Sequence, residues 1–434
     1  MTKVVVLYSG GRQWGGIETY LANLFRLYDR EAVELVLASL GDWELTRAVA
    51  DESSAAEVKV LSGSRVRPQT VLDLKRLLGA EKADLLVSQG TVANAYARAA
   101  GALARVPNLT VVHSDTRLDY PRALIRWTYE FIDRLLRFAT KRYVTVSRHL
   151  ARQLIASGVR PERVRTIYNG VDAVGRPSGD ARGGATGGTT PGGATTGGVT
   201  GGTTPCGATT GGVTGGTTPG GATTGSATTG ATTTGAARAA ADAARQDGLA
   251  LATVGRLHPV KNFDGLIEAM RLLPEQVTLT IWGEGPQREQ LETLVQSLGL
   301  AERVRLPGES KDMQEALTGA DVYVQPSKSE GCSFAVAEAM LHGKPVVVTP
   351  RGGLPEQVEH RVTGLVATDC DPEAIASVLR ELVDDPALAA RLGETGRKSA
   401  TQMFSMQKWL TETTAAFTEA AKAAPAAAAK PGHK

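Results

Sequence analysis

The chain has 434 residues, of which 42% are hydrophobic and 21% charged, with a formal net charge of +3 and three Cys. This length predicts two or three domains, and so few, widely separated Cys exclude a disulfide framework and a Cys-rich zinc module. No apolar run approaches the ~18 residues of a transmembrane helix, and the N-terminus lacks the cleavage region of a signal peptide. We therefore expect a protein of the cytoplasm or of the inner face of the membrane.

The N-terminal part of the chain alternates short apolar runs with segments of helical periodicity. The apolar runs are residues 4–8, 33–37, 58–61, 85–88, 109–113, 143–146 and 164–167. Between the first two runs, Ile17, Leu21, Leu24 and Tyr28 are spaced three and four residues apart, as on one face of a helix. Fully apolar strands that alternate with helices predict a parallel sheet covered on both faces.

A low-complexity segment follows this region. Between residues 183 and 237 nearly every residue is Gly, Ala or Thr, none is charged, and 20 of the chain's 49 Gly are found there. A 14-residue unit that starts at Gly193 recurs from Gly207. Because the segment contains almost nothing apolar to bury, we interpret it as a flexible linker rather than a solenoid.

Strand and helix patterns restart after this segment. The apolar runs are residues 249–254, 279–282, 304–306, 322–325, 346–349 and 364–367, which predicts a second doubly wound α/β domain. A last helix is expected at 398–422 and a disordered Ala-, Pro- and Lys-rich tail at 423–434. The predicted organisation is an N-terminal domain, a linker, a C-terminal domain, the last helix and the tail, at residues 1–175, 176–247, 248–397, 398–422 and 423–434.

Two segments match phosphate or metal motifs in part. Residues 9–16 place a glycine-rich loop before a predicted helix, where an anion could bind. They match neither a Walker A loop nor the dinucleotide motif G-x-G-x-x-G, and a turn that needs small residues fits equally well. Asp369 and Asp371 form a D-x-D pattern, but the order Asp371, Pro372, Glu373 is typical of a helix start, which we favour over a metal site.

The most informative residues follow predicted strands of the second domain. Arg256 and Lys261 lie in the loop after the run at 249–254, and a guanidinium with an ammonium suits a diphosphate. Glu330 lies in a later loop and Glu338 in the helix after it. Backbone N–H groups at 331–334 would begin that helix and form an anion site. Because the carboxyl ends of parallel strands meet at one edge of a sheet, these groups predict one site rather than separate surface charges.

These motifs resemble those of the retaining glycosyltransferases of family 4. The resemblance covers nearly the whole chain except the low-complexity segment. It is carried by residues 15–21, 112–113, 169–172, 255–256 with 261–262, 283–286, 330–338 and 352–356. The family implies the GT-B fold, an α/β architecture in which two doubly wound Rossmann-like domains face a central cleft.

The resemblance also implies roles for individual residues. Arg256 and Lys261 would hold the donor diphosphate and stabilise its charge, Glu330 would contact the donor sugar, and His113 would lie near the transferred sugar. A histidine that ends a buried strand can also be simply packed or hydrogen-bonded. The residues implied in donor binding are Gly16, Arg256, Lys261, Gly331, Cys332, Ser333, Phe334 and Glu338.

The implied reaction moves a sugar from a UDP- or GDP-sugar to a hydroxyl acceptor with retention, in glycan, glycolipid or glycoconjugate biosynthesis. No metal is expected, because Arg256, Lys261 and a helix N-terminus can compensate the diphosphate charge. No other cofactor and no nucleic acid is expected as a partner. The alternatives are a non-catalytic nucleotide-sugar-binding protein of the same fold and an NAD-dependent dehydrogenase. The intact charged residues argue against the first, and the missing dinucleotide motif argues against the second.

Residues 122–143 combine an apolar stripe with basic side chains. The stripe consists of Leu124, Trp127, Phe131, Leu135 and Phe138. The basic residues are Arg122, Arg126, Arg134, Arg137 and Lys141. Such a helix could lie on an anionic membrane or pack its stripe against its own sheet, and the sequence leaves both interpretations open.

Overall fold

The computed structural model describes residues 1–10, 14–52, 57–61, 69–115, 123–172, 248–310 and 312–422. The predicted linker at 176–247 and the predicted tail at 423–434 lie wholly outside these residues. Within them the chain forms two parallel sheets with helices between the strands. No described helix is both long enough and apolar enough to cross a membrane.

The N-terminal domain is built on a seven-stranded parallel sheet. Its strands are β1 Thr2–Tyr8, β2 Val33–Ser39, β3 Glu57–Val60, β4 Leu85–Gln89, β5 Asn108–Val112, β6 Thr140–Thr145 and β7 Val164–Thr166. Its helices are α1 Gly16–Leu27, α2 Glu44–Glu52, α3 Gln69–Ala80, α4 Thr91–Ala104, α5 Ala123–Leu136 and α6 Arg148–Ala156. The strand order is β3-β2-β1-β4-β5-β6-β7, so the winding direction reverses between β1 and β4.

The C-terminal domain repeats this plan with six parallel strands. They are β8 Ala250–Val254, β9 Thr278–Trp282, β10 Val304–Gly308, β11 Val322–Gln325, β12 Val346–Val348 and β13 Leu365–Val366. The helices are α7 Phe263–Ala269, α8 Arg288–Ser297, α9 Met313–Leu317, α10 Phe334–Leu341, α11 Leu354–Gln357, α12 Pro372–Asp384, α13 Pro386–Met403 and α14 Met406–Lys422. The order β10-β9-β8-β11-β12-β13 reverses between β8 and β11.

Burial explains why these segments form central strands. Val4, Val5, Val6 and Leu7 of β1 are fully buried, because β1 pairs with β2 and β4 and has helices on both faces. A parallel sheet covered in this way has no solvent face, so its central strands carry unbroken apolar runs. The predicted fold class, two doubly wound Rossmann-like domains, is confirmed.

The last helical segment differs from the expected continuous helix. The structure has a break at Phe404, where the chain leaves α13 before α14 begins. Phe404 is buried, and its carbonyl accepts a hydrogen bond from the Val171 amide. The buried faces of Trp409 and Phe417 in α14 then pack in the core of the N-terminal domain. The chain thus crosses back from the C-terminal domain through a bend that Phe404 fixes.

The D-x-D segment is a helix start, as predicted. The Asp371 side chain accepts a hydrogen bond from the Ala374 amide at 2.7 Å, and Pro372 occupies the first turn of α12. Asp369 is paired with Arg351. Both carboxylates therefore have structural partners.

Candidate active site

Arg256, Lys261 and Glu330 lie where the C-terminal sheet reverses its winding, between β8 and β11, which is where ligands bind in open α/β sheets. The loop after β8 carries Arg256 and Lys261, and the loop after β11 carries Glu330. Lys261 Nζ lies 2.5 Å from Glu330 Oε1, and both side chains are largely buried. Two predicted residues that are far apart in sequence thus form one ion pair.

A buried polar network holds the Glu330 carboxylate in place. Ser327 Oγ donates to Glu330 Oε1 at 3.0 Å, and Gln325 Nε2 donates to Ser327 Oγ at 2.8 Å. Tyr323 Oη in turn donates to Gln325 Oε1 at 2.8 Å. Tyr323, Gln325 and Ser327 are completely buried, so the network leaves Glu330 little rotational freedom.

The loop that carries Lys261 is fixed by Asn262. This residue has a φ of 58°, in the left-handed region that Asn tolerates better than most residues. Its buried side-chain amide donates to the carbonyls of Pro326 at 3.1 Å and Cys370 at 2.9 Å. Asn262 therefore ties the loop after β8 to the loop after β11 and orients the neighbouring Lys261.

Arg256 is exposed, in contrast to Lys261. The charge of Arg256 nevertheless acts near Lys261, because both residues affect the pKa of His258 between them. Burial lowers the pKa of His258 below its usual value, and the positive charges of Arg256 and Lys261 lower it further. The loop therefore concentrates positive charge, and the exposed guanidinium is accessible to a ligand.

Helix α10 presents its N-terminus to the same place. Ser333 caps the helix, because its Oγ accepts from the Val336 amide. The Ser333 amide donates to Gln357 Oε1 at 2.7 Å and is occupied. By helix geometry the Phe334 and Ala335 amides have no intrahelical acceptor, so they are the donors available for an anion.

The N-terminal domain contributes a second helix N-terminus. Helix α1 begins at Gly16, and a Cβ atom on Gly16 would lie 3.9 Å from the Phe334 ring. The first residues of α1 and α10 therefore approach each other from opposite sides of the cleft. Each helix N-terminus carries about half a positive charge, so two of them favour an anion between them.

The other predicted donor-binding residues are in different environments. Glu338 lies in the second turn of α10, and the Glu330 and Glu338 carboxylates both add to the effect of burial in raising the pKa of Tyr323. Cys332 is buried, which raises the pKa of its thiol to about 12. Its carbonyl accepts from Asn169 Nδ2 at 3.3 Å, so Cys332 joins the domains through its backbone while its thiol stays protonated.

His113 follows β5 and is partly buried at the domain boundary. Burial lowers its pKa to about 3, so the imidazole is neutral near pH 7. Its Nε2 lies 2.8 Å from Gln89 Oε1, and because a carbonyl oxygen accepts, Nε2 carries the proton and Nδ1 is left as an acceptor. Tyr20 packs edge-on against the ring at 4.9 Å.

The backbone of His113 contacts the C-terminal domain directly. A Cβ atom on Gly331 would lie only 1.9 Å from the His113 carbonyl oxygen. A side chain at position 331 is therefore incompatible with this approach of the two domains. Gly331 brings the loop of Glu330 against the strand end of His113.

Glu356 forms a second interdomain contact. Its Oε2 accepts from Tyr168 Oη at 2.9 Å and from the Arg148 amide at 2.7 Å, at the N-terminus of α6. Arg152 approaches Oε1 at 3.4 Å. A carboxylate at a helix N-terminus is favourably placed, so this contact helps to hold the two domains together.

Several residues of the site had no role predicted from the sequence. Gln357 exchanges two hydrogen bonds with the Ser333 backbone, at 2.7 and 2.9 Å. Gln89 binds His113, and Gln325 and Ser327 support Glu330. The available signal was a polar residue at the carboxyl end of an apolar run, as at Gln89 and Gln325. Gln357 gave no comparable signal.

Among the described residues, no group of three or more His, Cys, Asp and Glu side chains could hold a metal ion. Among the described residues, the positive charges near the cleft include those of Arg256, Lys261 and the two helix N-termini. The site can therefore bind a diphosphate, with carboxylates alongside that can accept hydrogen bonds from sugar hydroxyls.

Comparison with known proteins agrees with this chemistry. The family model of the glycosyl transferases group 1 matches residues 239–399, and that of Glycosyltransferase Family 4 matches residues 14–174. The chain is 33% identical over 159 residues to the lipopolysaccharide core biosynthesis glycosyltransferase LpsD of Rhizobium meliloti. It is 34% identical over 181 residues to the D-inositol 3-phosphate glycosyltransferase of Streptomyces avermitilis.

These sequence matches cover part of each protein. They include 37% and 38% of this chain, and 46% and 39% of those two relatives, so the chain spans less than half of their length. The crystal structure of Anabaena HepE in complex with UDP-glucose matches with a TM-score of 0.72 at 19% identity, over 96% of this chain and 100% of that one. This likeness shows the fold, and the two family models cover both domains. The chain belongs to the family 4 glycosyltransferases of the GT-B fold.

Proposed function

We propose that the protein transfers a sugar from a nucleotide-sugar donor to a hydroxyl acceptor, with retention of configuration and without a metal ion. The observation that carries this proposal is the convergence of positive charge on the cleft. Arg256 and Lys261 follow β8, and the N-termini of α1 and α10 meet across the cleft at Gly16 and Phe334. A nucleoside diphosphate leaving group needs such a site, since its negative charge grows as the glycosyl bond breaks.

The donor is proposed to lie with its diphosphate between the two helix N-termini. Glu338 would then bind the ribose hydroxyls, and Glu330 the hydroxyls of the sugar. The Lys261–Glu330 pair at 2.5 Å supports this arrangement, because it places the phosphate-binding ammonium beside the sugar-binding carboxylate. Gly331 and Cys332 would supply backbone contacts to the donor.

Retention is proposed to result from attack on the face that the leaving group departs from. The bond between the anomeric carbon and the phosphate oxygen breaks, the acceptor oxygen bonds to the same face, and its proton moves to a leaving phosphate oxygen. Neutral His113 suits a position beside the sugar, because its Nδ1 can accept from a hydroxyl without adding charge. Glu330 is engaged by Lys261 and Ser327, which disfavours it as a covalent nucleophile.

The relatives support a role in glycoconjugate biosynthesis. LpsD is named for lipopolysaccharide core biosynthesis, and HepE was crystallised with UDP-glucose. We propose a UDP- or GDP-sugar as the donor and a hydroxyl group of a glycan, glycolipid or related glycoconjugate as the acceptor.

A donor panel tests this function. The full chain is incubated with UDP- and GDP-sugars, and nucleotide release is measured with and without EDTA. We expect release from at least one donor at the same rate in EDTA, and product with the anomeric configuration of the donor. Loss of activity in EDTA contradicts the metal-free mechanism, and an inverted product contradicts retention. Tight NAD binding with no release from any donor contradicts the function itself.

We also propose that the segment 122–143 contacts an anionic membrane. Arg122 lies outside the described residues, as do the side chains of Leu124 and Arg126. The remaining stripe is exposed: Trp127 by 64%, Phe131 by 54%, Leu135 by 59% and Phe138 by 72%. This observation favours a membrane over packing on the sheet, because large apolar side chains exposed in one row suit an interface.

Burial of a charge explains why the stripe faces outwards. Asp133 lies on the opposite face of α5, where its Oδ1 is 2.6 Å from the Nη1 of Arg98, a residue that is almost completely buried. Arg137 binds Asp133 Oδ2 at 2.6 Å. Rotation of α5 to bury the stripe would break this ion pair and leave Arg98 unpaired in the core, which is costly.

A further inference from the structure

A basic cavity lies directly beside the exposed stripe of α5. It has a volume of about 260 Å³ and is lined by residues from the turn after α5, from β6 and from the loop after α6. Its lining consists of Arg137, Phe138, Tyr143, Gly158, Val159, Arg160 and Arg163. Three guanidinium groups on one cavity of this size favour an anionic occupant.

The arginines retain donors for such an occupant. Arg137 donates to Asp133 and to Ser157, and Arg160 pairs with Glu162 at 3.3 Å. A guanidinium has five N–H donors, so neither contact exhausts it. Because Asp133 also compensates Arg98, the positive charges around the cavity outnumber the negative ones.

Tyr143 provides a second and independent observation. The residue is 1% exposed, and its hydroxyl has no hydrogen-bond partner among the described residues. Burial raises the pKa of Tyr143, so the hydroxyl is protonated and able to donate. A buried hydroxyl without a partner is destabilising, and an acceptor oxygen in the cavity would satisfy it.

The position of the cavity decides the source of the anion. Phe138 lines the cavity and is also the most exposed member of the stripe. If the stripe inserts among the acyl chains, a group bound in the cavity would therefore lie at the depth of the lipid headgroups. This arrangement fits a ligand that has a phosphate next to an acyl chain.

We propose that this cavity binds the phosphate of an anionic phospholipid when the α5 stripe enters the membrane. The inference rests on the proposed membrane contact and adds a specific headgroup site to it. Tyr143 and the arginines 137, 160 and 163 would donate to the phosphate oxygens, and the stripe would insert between the acyl chains.

Vesicle binding by the full chain tests the site. Vesicles of phosphatidylcholine alone are compared with vesicles that contain phosphatidylglycerol. The variant Arg160→Gln/Arg163→Gln should lose about thirtyfold in affinity for the anionic vesicles, since each arginine near a membrane contributes about fivefold. Its binding to neutral vesicles should not change. Tyr143→Phe should lose a further severalfold without loss of thermal stability, because its hydroxyl has no protein partner.

Matched variants separate this site from the membrane contact itself. Arg271→Gln/Arg391→Gln removes the same charge from exposed positions of the C-terminal domain and should bind both vesicles as the parent does. Trp127→Ser/Phe131→Ser should lose binding to both vesicles, and normal binding by it overturns the membrane contact. If Trp127→Ser/Phe131→Ser loses vesicle binding but Arg160→Gln/Arg163→Gln binds anionic vesicles as tightly as Arg271→Gln/Arg391→Gln does, the headgroup site is wrong. Binding of inorganic phosphate at Tyr143 with no effect on vesicle affinity also overturns the lipid assignment.

Discussion

The carboxyl-terminal edges of the two sheets have the same topology but differ in the charge of their side chains. In the C-terminal domain the edge carries Arg256, Lys261 and Glu330, held by a buried hydrogen-bond network. In the N-terminal domain the corresponding edge carries Gly16, Gln89 and a neutral His113. The first edge thus carries charged side chains, and the second brings these three uncharged groups close to it.

This difference suggests a division of work in the proposed reaction. Negative charge would develop on the diphosphate, which lies against the C-terminal edge. The attacking hydroxyl is uncharged, and uncharged groups such as Gln89 and His113 can surround it without competing for the diphosphate. Fixed charges that are already oriented require no reorganisation when the bond breaks, which is the main source of electrostatic catalysis.

The strongest test of the charged edge is Arg256→Ala. We expect kcat/KM for the donor to fall by about 10²–10³, as when one preorganised donor to a transition-state oxyanion is removed. Because Arg256 is exposed, the melting temperature should stay unchanged. Arg271→Ala, at another exposed position, serves as the control and should retain full activity. Parent-like kinetics of Arg256→Ala would mean that the diphosphate binds elsewhere.

The close approach of the two edges can be broken at Gly331. In Gly331→Ala the new methyl group would collide with the His113 carbonyl, so the domains must separate. We expect kcat/KM to fall by about 10²-fold, the usual cost of a misplacement of about 1 Å. Gly79→Ala is the control, because a Cβ there meets nothing within 4 Å. Steady-state kinetics should show the loss in the first variant alone.

The neutral character of His113 predicts a specific pH dependence. Burial lowers its pKa to about 3 in the folded protein, below the ordinary value of 6.5. The unfolded state therefore binds the proton first, and the free energy of unfolding should fall as the pH drops from about 6.5 towards 3, by on the order of 1 kcal/mol per pH unit. Above about pH 6.5 this contribution is absent.

Urea unfolding of the parent and His113→Gln at several pH values measures this effect. The variant should lose less stability on acidification. The pH profile of kcat should keep its shape between about pH 5 and 8 in both proteins, because His113 does not titrate there. An inflection that disappears in the variant would show that the imidazole is charged during turnover.

The smallest effect is expected from the low-complexity segment. The described contacts between the domains include Tyr168 with Glu356, Asn169 with Cys332 and the packing of α14, and these three lie outside residues 183–237. Loop entropy changes by only about 0.6 kcal/mol per doubling of length. Replacement of residues 183–237 by a short Gly/Ser linker should therefore leave kcat/KM within about threefold, and a larger loss would give this segment a role in closure.

The sequence predicted the elements well because their signals are local. The run at residues 4–8 became β1, and the run at 322–325 became β11 with the same bounds. Parallel strands buried on both faces carry unbroken apolar runs, and their polar ends mark the edge where the ligand binds. Arg256, Lys261 and Glu330 were predicted as site residues from these strand ends.

The pairings between distant residues could not be predicted from such local signals. Glu330 is held by Lys261, which is 69 positions away, and hydrophobic periodicity carries no information about that contact. The orientation of α5 was open for a similar reason. The pattern of the stripe is compatible with packing against the sheet or with exposure at the surface. Which of these occurs depends on the ion pair between Asp133 of α5 and Arg98 of α4, two residues that only the fold brings together.

We expect a diphosphate to bind between the α1 and α10 N-termini with Arg256 and Lys261. Isothermal titration calorimetry in EDTA tests this binding most directly, with a nucleoside diphosphate and the matching nucleoside, on the parent and on Arg256→Ala. The parent should bind the diphosphate at least about 100-fold more tightly than the nucleoside, and Arg256→Ala should lose most of this difference. Equal affinities for the two ligands in the parent, or an unchanged difference in the variant, would contradict it.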